Sequence, residues 1–250
     1  MNNKLIKLLE EFDKKRTNFL KKEGVWNENS VAKCFHPCAE NLLLKGYFLV
    51  NNEYIIDLGA IELYYHEEEG KIKDSIMYHT NEHPSKSKVF ELNGGYPYFK
   101  IGSFNMHQSG VDVTFENGED GKKYRASFLI RSYRVFRKGD EHKLNDLTIP
   151  FDNCSTHIFD DMFYNGVLSS DNASQIKWKT KRKDGSIEQD WRRNVAMYLN
   201  SKKVSKEDFE ANIGNLKETI SSPLFFKYNG EYYLKEERMW QYKRVGIIEI

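Results

Sequence analysis

The segment Tyr54–Tyr65 reads YIIDLGAIELYY and carries the strongest structural signal in the chain. Its β-branched and aromatic residues favour extended backbone, so it predicts a strand. The same texture, separated by short turn signals such as Asn51-Asn52, predicts four more strands: Tyr47–Val50, Pro97–Ile101, Gly110–Phe115 and Tyr124–Phe136. Because short turns join neighbouring strands, we expect a mostly antiparallel sheet that partly closes on itself.

Helices are expected on both sides of this strand-rich region. Apolar residues at three- and four-residue steps predict an amphipathic helix over residues 3–22, within an N-terminal helical segment 1–24. Pro37 suits the start of a short helix that ends near Leu44. Further along we predict two helices, a hairpin and a final strand: 191–200, 205–221, 225–234 and 240–250. The fold class is therefore α+β, one domain over residues 1–250, with an insert-like region at about 138–235.

Composition limits the classes of function. The chain has 250 residues, 39% hydrophobic and 30% charged, which is enough apolar material for a core. The net charge of +1 gives no strong overall field, so nucleic-acid binding would need basic residues gathered on one face. Three cysteines are a poor disulfide framework, and we find neither a signal peptide nor an apolar run of membrane-spanning length. We therefore expect a cytoplasmic protein that does not enter a membrane.

Glu62 is the residue with the clearest chemical meaning. Strand alternation places Glu62 and Tyr64 on the same face. An unpaired buried charge is costly, so a carboxylate in this apolar strand is expected to be paired or functional. A tyrosine ring that stacks on a flat base, beside a carboxylate that orients a water, would form a sensible base pocket. The alternative is an acid on the solvent face of an edge strand.

The order of the motifs adds to this interpretation. After residues 39–50 come the Ile61-Glu62-Leu63-Tyr64 strand, then Asp74 and His79, and then segments 94–102, 110–115, 127–135 and 243–247. This succession resembles the methylpurine-DNA glycosylases of the alkyladenine type. The likeness covers roughly residues 38–137 and the last ten or so. Ala60 stands where that family has the first of two acids, and Pro97 interrupts its hairpin motif.

The resemblance implies a role for each matching position. Glu62 would activate the water, and Ile101 would be the wedge that fills the gap left by the flipped nucleotide. The base pocket would be formed by Tyr64, His79, Tyr98, Asp112 and Arg131. Asp112 replaces the family's asparagine, which favours a base that offers hydrogen-bond donors. The DNA backbone would be contacted by a basic run and the closing motif: Lys181, Arg182, Lys183 and Arg244.

The implied function is a monofunctional DNA glycosylase. It would bind double-stranded DNA, rotate a modified or damaged base out of the stack and hydrolyse the N-glycosidic bond. No metal and no cofactor are expected, and we expect a monomer associated with the nucleoid. The sequence leaves open which base would be excised.

Several alternatives remain open from the sequence. The chain could be a catalytically inactive protein that binds modified bases or nucleotides on the same fold, or an unrelated antiparallel α+β ligand-binding protein. Cys34, His36 and Cys38, with Cys154 and His157, could in principle bind zinc. Ser109 between His107 and Asp112 could be a nucleophile, although residues in a single turn rarely form a triad.

Overall fold

The computed structural model describes residues 3–23, 26–74, 77, 97–107, 110–120, 123–152, 176–195, 202–207, 225–228, 231–234 and 236–246. These residues form an α+β fold with two α-helices and a mostly antiparallel sheet. The helices are α1 (Asn3–Glu23) and α2 (Glu28–Leu44). The strands are β1 (Gly46–Val50), β2 (Tyr54–His66), β3 (Phe104–His107), β4 (Gly110–Thr114), β5 (Arg125–Arg137), β6 (Ile176–Thr180), β7 (Ser186–Val195), β8 (Lys202–Val204), β9 (Phe225–Tyr228), β10 (Glu231–Leu234) and β11 (Glu236–Val245).

The main sheet has eight strands and forks at β2. Strands β3, β4, β5, β2, β1 and β6 follow one another, while β11 pairs with β2 and β7 pairs with β11. Along one edge, β2 pairs with β5 from Tyr54 to His66. Along the other edge it pairs first with β1, at residues 54–56, and then with β11, at residues 60–62. The sheet is therefore open and forked around residues 57–59, where the sequence predicted partial closure. Strands β8, β10 and β9 form a separate small sheet.

The two helices cover one face of the main sheet. Helix α2 begins at Asn27, whose side chain accepts a hydrogen bond from the Ser30 N–H at 3.0 Å. The core between helices and sheet contains Leu5, Leu9, Phe12, Val31, Phe35, Leu42, Phe48, Ile61, Leu63, Phe128, Trp178 and Trp240. Because burial of this apolar surface drives the packing, the polar residues of β2 are left to the opposite face.

An irregularity in β2 sets which side chains share that opposite face. The register between β2 and β5 shifts on both sides of Ala60. Ile56 and Leu58 lie in the helix-side core before the shift, and Ile61 and Leu63 lie in it afterwards. Leu58 and Ile61 are three residues apart but face the same side of the sheet. As a result, Asp57 and Glu62 both lie on the opposite face, away from the helices. Strict alternation would have placed them on opposite faces.

Gly59 allows this irregularity. A Cβ atom at Gly59 would lie 2.4 Å from the Phe151 ring and 2.7 Å from Ser132 Oγ. A side chain would therefore collide with the residues that cover the bulge.

Several predicted elements are confirmed and others are wrong. The first helix, the strands now named β1, β2, β4 and β5, and the hairpin of β9 and β10 are as expected. Pro97–Ile101 is not a strand, and Trp191–Val195 belongs to strand β7 rather than to a helix. Strands β6 and β7 join the main sheet, so part of the region predicted as an insert is integral to the fold. Residues 196–200 and 208–221 lie outside the described residues. Among those described, no helix has the length and apolarity needed to span a membrane.

Candidate functional site

A row of side chains crosses four strands on the face away from the helices. Glu62 lies opposite Gln241 of β11 and opposite Leu129 of β5, and Leu129 lies opposite Asp112 of β4. Residues directly opposite in antiparallel strands project from the same face. We call Gln241, Glu62, Leu129 and Asp112, together with the neighbouring Tyr64 and Arg131, the Glu62 row.

Two neighbours hold the Glu62 carboxylate. Gln241 Nε2 donates a hydrogen bond to Glu62 Oε2 at 2.6 Å, and Arg131 Nε lies 3.5 Å from the same oxygen. Glu62 is only 4% exposed, whereas the Arg131 side chain is 35% exposed. The carboxylate is therefore positioned inside the protein, and a guanidinium group connects it to solvent.

A small apolar cluster lies next to this carboxylate. Tyr64, two residues from Glu62, packs with Met77 and Leu129 in a small cluster of its own, separate from the helix-side core. Asp112, the other acid of the row, is 2% exposed. The row thus combines an aromatic ring, two carboxyl groups, an amide and a guanidinium. Such a set of groups suits a flat polar ligand that stacks on one side and hydrogen-bonds at its edge.

A second buried charge cluster occupies the fork of the sheet. Asp57 lies 2.9 Å from Arg134 Nε, 2.5 Å from Lys183 Nζ and 3.3 Å from an Arg244 amino group. All four side chains are buried. Hence Asp57, Arg134, Lys183 and Arg244, which we call the Asp57 cluster, join β2, β5, the β6–β7 turn and β11.

Backbone carbonyls complete the Asp57 cluster. Arg134 donates to the carbonyls of Lys143, Leu144, Asp146 and Ile149, and Arg244 donates to those of Leu144 and Asp184. Burial lowers the pKa of Lys183 to about 8, an effect that Asp57 opposes and that the two arginines reinforce. Each charged side chain of this cluster is paired with another member, which is typical of a cluster that serves the fold rather than a ligand.

Three predicted DNA contacts have other partners in the structure. Ile101 is half-buried and packs against the helix-side core, so it does not project as a wedge. Lys183 and Arg244 are buried against Asp57 and cannot reach a phosphate in this conformation. Arg182 is exposed, and Lys181 Nζ donates to the Glu141 carbonyl at 2.6 Å. Within the basic run, Lys183 is therefore buried in the Asp57 cluster, whereas Arg182 is accessible to solvent.

Tyr98, the predicted second stacking ring, also has other partners in the structure. The Arg125 guanidinium lies 4.2 Å from the centre of the Tyr98 ring, and the Tyr98 hydroxyl donates to Glu68 at 3.4 Å. A Cβ atom at Gly118 would lie 2.9 Å from Tyr98 Cγ, so the backbone also approaches this ring closely. Tyr98 thus belongs to an ion network rather than to the Glu62 row. His79 lies outside the described residues.

The cysteines of α2 are packed in the protein interior. Cys34 and Cys38 are both buried and free of disulfide bonds. Burial raises the pKa of Cys38 to about 12, which keeps this thiol protonated at neutral pH. In the described ranges, no three His, Cys, Asp or Glu side chains converge as metal ligands would. Cys154, His157 and Ser109 are not among the residues that the structure describes.

The chain was compared with known proteins at three levels. No protein-family model, no curated protein and no solved structure matches it. The function is therefore inferred from the geometry of the Glu62 row and from the motif resemblance in the sequence.

Proposed function

We propose that the protein is a monofunctional DNA glycosylase whose reaction centre is the Glu62 row. The observation that carries this proposal is the buried Glu62 carboxylate, held by Gln241 and Arg131 next to the Tyr64 ring. A general base has to be fixed in position beside the group that it serves. Contacts from two different strands fix the position of the Glu62 carboxylate, which supports this role.

The proposed reaction is hydrolysis at C1′ of a flipped nucleotide. Glu62 takes a proton from a water molecule whose oxygen forms a bond to C1′. The bond from C1′ to the base nitrogen breaks, and its electron pair leaves with the base. The negative carboxylate also stabilises the positive charge that develops on the sugar. Because a water rather than an amine attacks, the product is an abasic site in an unbroken strand.

Specificity is proposed to come from the rest of the row. Tyr64 would stack on the base, and Asp112, when ionised, accepts hydrogen bonds but donates none. A base that presents an amino group or ring N–H toward Asp112 would thus be preferred. Extruding a base costs a few kcal/mol, and this cost is smallest for damaged or mispaired bases.

A second candidate function uses the same groups without catalysis. Gln241 and Arg131 both lie against Glu62 Oε2, so this oxygen is already occupied. A protein that only binds a modified base or nucleotide would use the carboxylate as a fixed acceptor in this way. The two candidates differ in whether an abasic site appears.

The test is a cleavage assay on defined duplexes. Purified protein is incubated with duplexes that carry hypoxanthine, an alkylated adenine, ethenoadenine, uracil or 5-hydroxymethylcytosine, and alkali then reveals abasic sites. We expect strand breaks on at least one duplex, their loss in Glu62→Gln, and retained DNA binding by that variant. Glu53→Gln is the matched control, because Glu53 is an exposed acid at the start of β2 that pairs with Arg137.

Two results would change the assignment. Binding to one duplex without any abasic product would favour the base-binding protein. Neither binding nor product on any duplex would contradict both candidates.

A further inference from the structure

A basic cavity shares no lining residue with the Glu62 row. It has a volume of about 860 Å³ and lies between the C-terminal half of α2 and the turn from β6 to β7. Its lining includes His36, Lys45, Thr180, Lys181, Arg182 and Ser186. Cavities of 300 to 1,000 Å³ are typical of small-molecule sites, so this one is large enough for a ligand of roughly nucleotide size.

The charge in this cavity is only partly compensated. Lys45 pairs with Glu40 at 3.2 Å, and Lys183, which also lines the cavity, pairs with Asp57. Lys181 Nζ donates to a neutral carbonyl, and Arg182 is exposed with no acidic partner among the described residues. The cavity therefore has an excess of about two positive charges, and the hydroxyls of Thr180 and Ser186 line the same wall.

The turn that carries these cations is fixed in place. Gly185 has φ +107°, and a Cβ atom there would lie 2.5 Å from the Val245 carbonyl oxygen. The turn can therefore approach the end of β11 only with glycine at this position. Lys181 and Lys183 also donate their backbone N–H groups to the carbonyls of Lys45 and Leu44, at 3.1 and 2.7 Å. These contacts hold Arg182 at the cavity in advance of any ligand, which lowers the entropic cost of binding.

The geometry points to a binding site for a phosphate group in this cavity, with Arg182 and Lys181 as its principal ligands. An arginine fork and neighbouring hydroxyls are the usual partners of phosphate oxygens. The phosphate can belong to a free phosphorylated molecule or to a nucleic-acid backbone, since both present the same group. This inference does not depend on the glycosylase proposal, because the cavity lining and the Glu62 row share no residue.

The test is calorimetric titration of the full-length protein with inorganic pyrophosphate. We expect saturable binding whose dissociation constant rises at least tenfold in Arg182→Gln and is not measurable in Arg182→Glu. Lys177→Gln is the matched control, because Lys177 is an exposed residue of β6 outside the cavity lining, and binding should be unchanged. Thermal melting of each variant checks that the fold is retained.

A second titration with a fluorescently labelled DNA duplex identifies the source of the phosphate. If Arg182→Gln weakens duplex binding and pyrophosphate displaces the duplex, the cavity holds a nucleic-acid phosphate. If duplex binding is unchanged while pyrophosphate binding is lost, the ligand is a small phosphorylated molecule. Absence of saturable pyrophosphate binding, or an equal loss in Lys177→Gln, would overturn the inference. None of these titrations measures base release, so their results are independent of the proposed reaction at Glu62.

Discussion

Asp57 and Glu62 are two buried acids on the same strand and the same face, yet their surroundings differ. Asp57 is fully buried and pairs with three cations, two of which also donate to backbone carbonyls. Glu62 accepts a hydrogen bond from the Gln241 amide and pairs with Arg131, whose side chain is about a third exposed. The first arrangement joins four parts of the chain, whereas the second leaves a positioned carboxylate with a route to solvent.

The difference shows how burial alone misleads as a sign of function. Both acids are in apolar strand sequence, and the same argument from the cost of burying a charge applies to each. What separates them is the accessibility of their partners and the aromatic wall beside Glu62. We therefore propose a role in stability for Asp57 and a role in the proposed reaction for Glu62, and each role can be tested separately.

The largest expected effect is on stability in Asp57→Asn. Removing the carboxylate leaves three buried cations facing one another, and breaking a buried pair in this way costs about 3–5 kcal/mol. Urea denaturation should show this loss. Glu53→Gln, which breaks an exposed pair with Arg137, should cost no more than about 1 kcal/mol. An equal loss of stability in the two variants would show that the Asp57 cluster stabilises the fold no more than an exposed ion pair does.

Gly59→Ala tests the bulge that brings the two acids to one face. The new methyl group would collide with the Phe151 ring, and such overpacking costs about 1–3 kcal/mol. Gly246→Ala is the control, since the nearest atom to its Cβ would be Leu147 Cδ1 at 3.7 Å. A stable Gly59→Ala variant, measured by denaturation, would mean that the strand can pass this point without the bulge.

The pH dependence of stability reports on Lys183. Its pKa of about 8 lies below the usual 10.5, so the unfolded chain binds the proton more tightly and unfolding takes up a proton between these values. Stability should thus rise by about 1 kcal/mol from pH 8 to 9 through this group, and Lys183→Met should lack the rise. Above pH 9.0, the ordinary pKa of the thiol, Cys38 should lower the stability as the pH rises. The reason is that its thiol ionises in the unfolded chain while it stays protonated in the folded one. A native profile with the same slope as Lys183→Met would contradict the expected shift.

The smallest expected stability effect is in Glu62→Gln. Glutamine keeps an acceptor oxygen for the Gln241 amide, and the partly exposed Arg131 can be solvated. The loss should be below about 1 kcal/mol, because the arginine that loses its counter-charge is itself partly in water. Denaturation curves of Glu62→Gln and Asp57→Asn, measured side by side, give the contrast directly. A loss as large as that of Asp57→Asn would place both acids in the structural class.

Hydrophobic pattern predicted the local elements where tertiary pairing agreed with it. Helix α1 and strands β2 and β5 were found because each has one apolar pattern over many residues. Strand β7 was missed because its pairing with β11 overrides its local tendency to form a helix. Pro37 predicts a helix start, whereas the Asn27 cap of α2 lies ten residues earlier and Pro37 is inside the helix.

The site was predictable only as far as local sequence determines it. Glu62 and Tyr64 share a face because strands alternate, and this needed no structure. Gln241 could not be identified, because it meets Glu62 only through a pairing between strands 179 residues apart. The Asp57 cluster had a signal, an acid in an apolar run, but its three cations come from distant segments. Tyr98 and Ile101 were assigned by resemblance, and their packing in this chain differs from that expectation.

The most direct test of the account is the single-turnover rate of base release by Glu62→Gln, on the duplex in which the native protein is found to generate abasic sites. General acid–base groups contribute about 10²–10⁴ to rates, so we predict a fall of at least about 100-fold with DNA binding and stability retained. A rate within tenfold of the native value would contradict the assignment of Glu62 as the group that activates water.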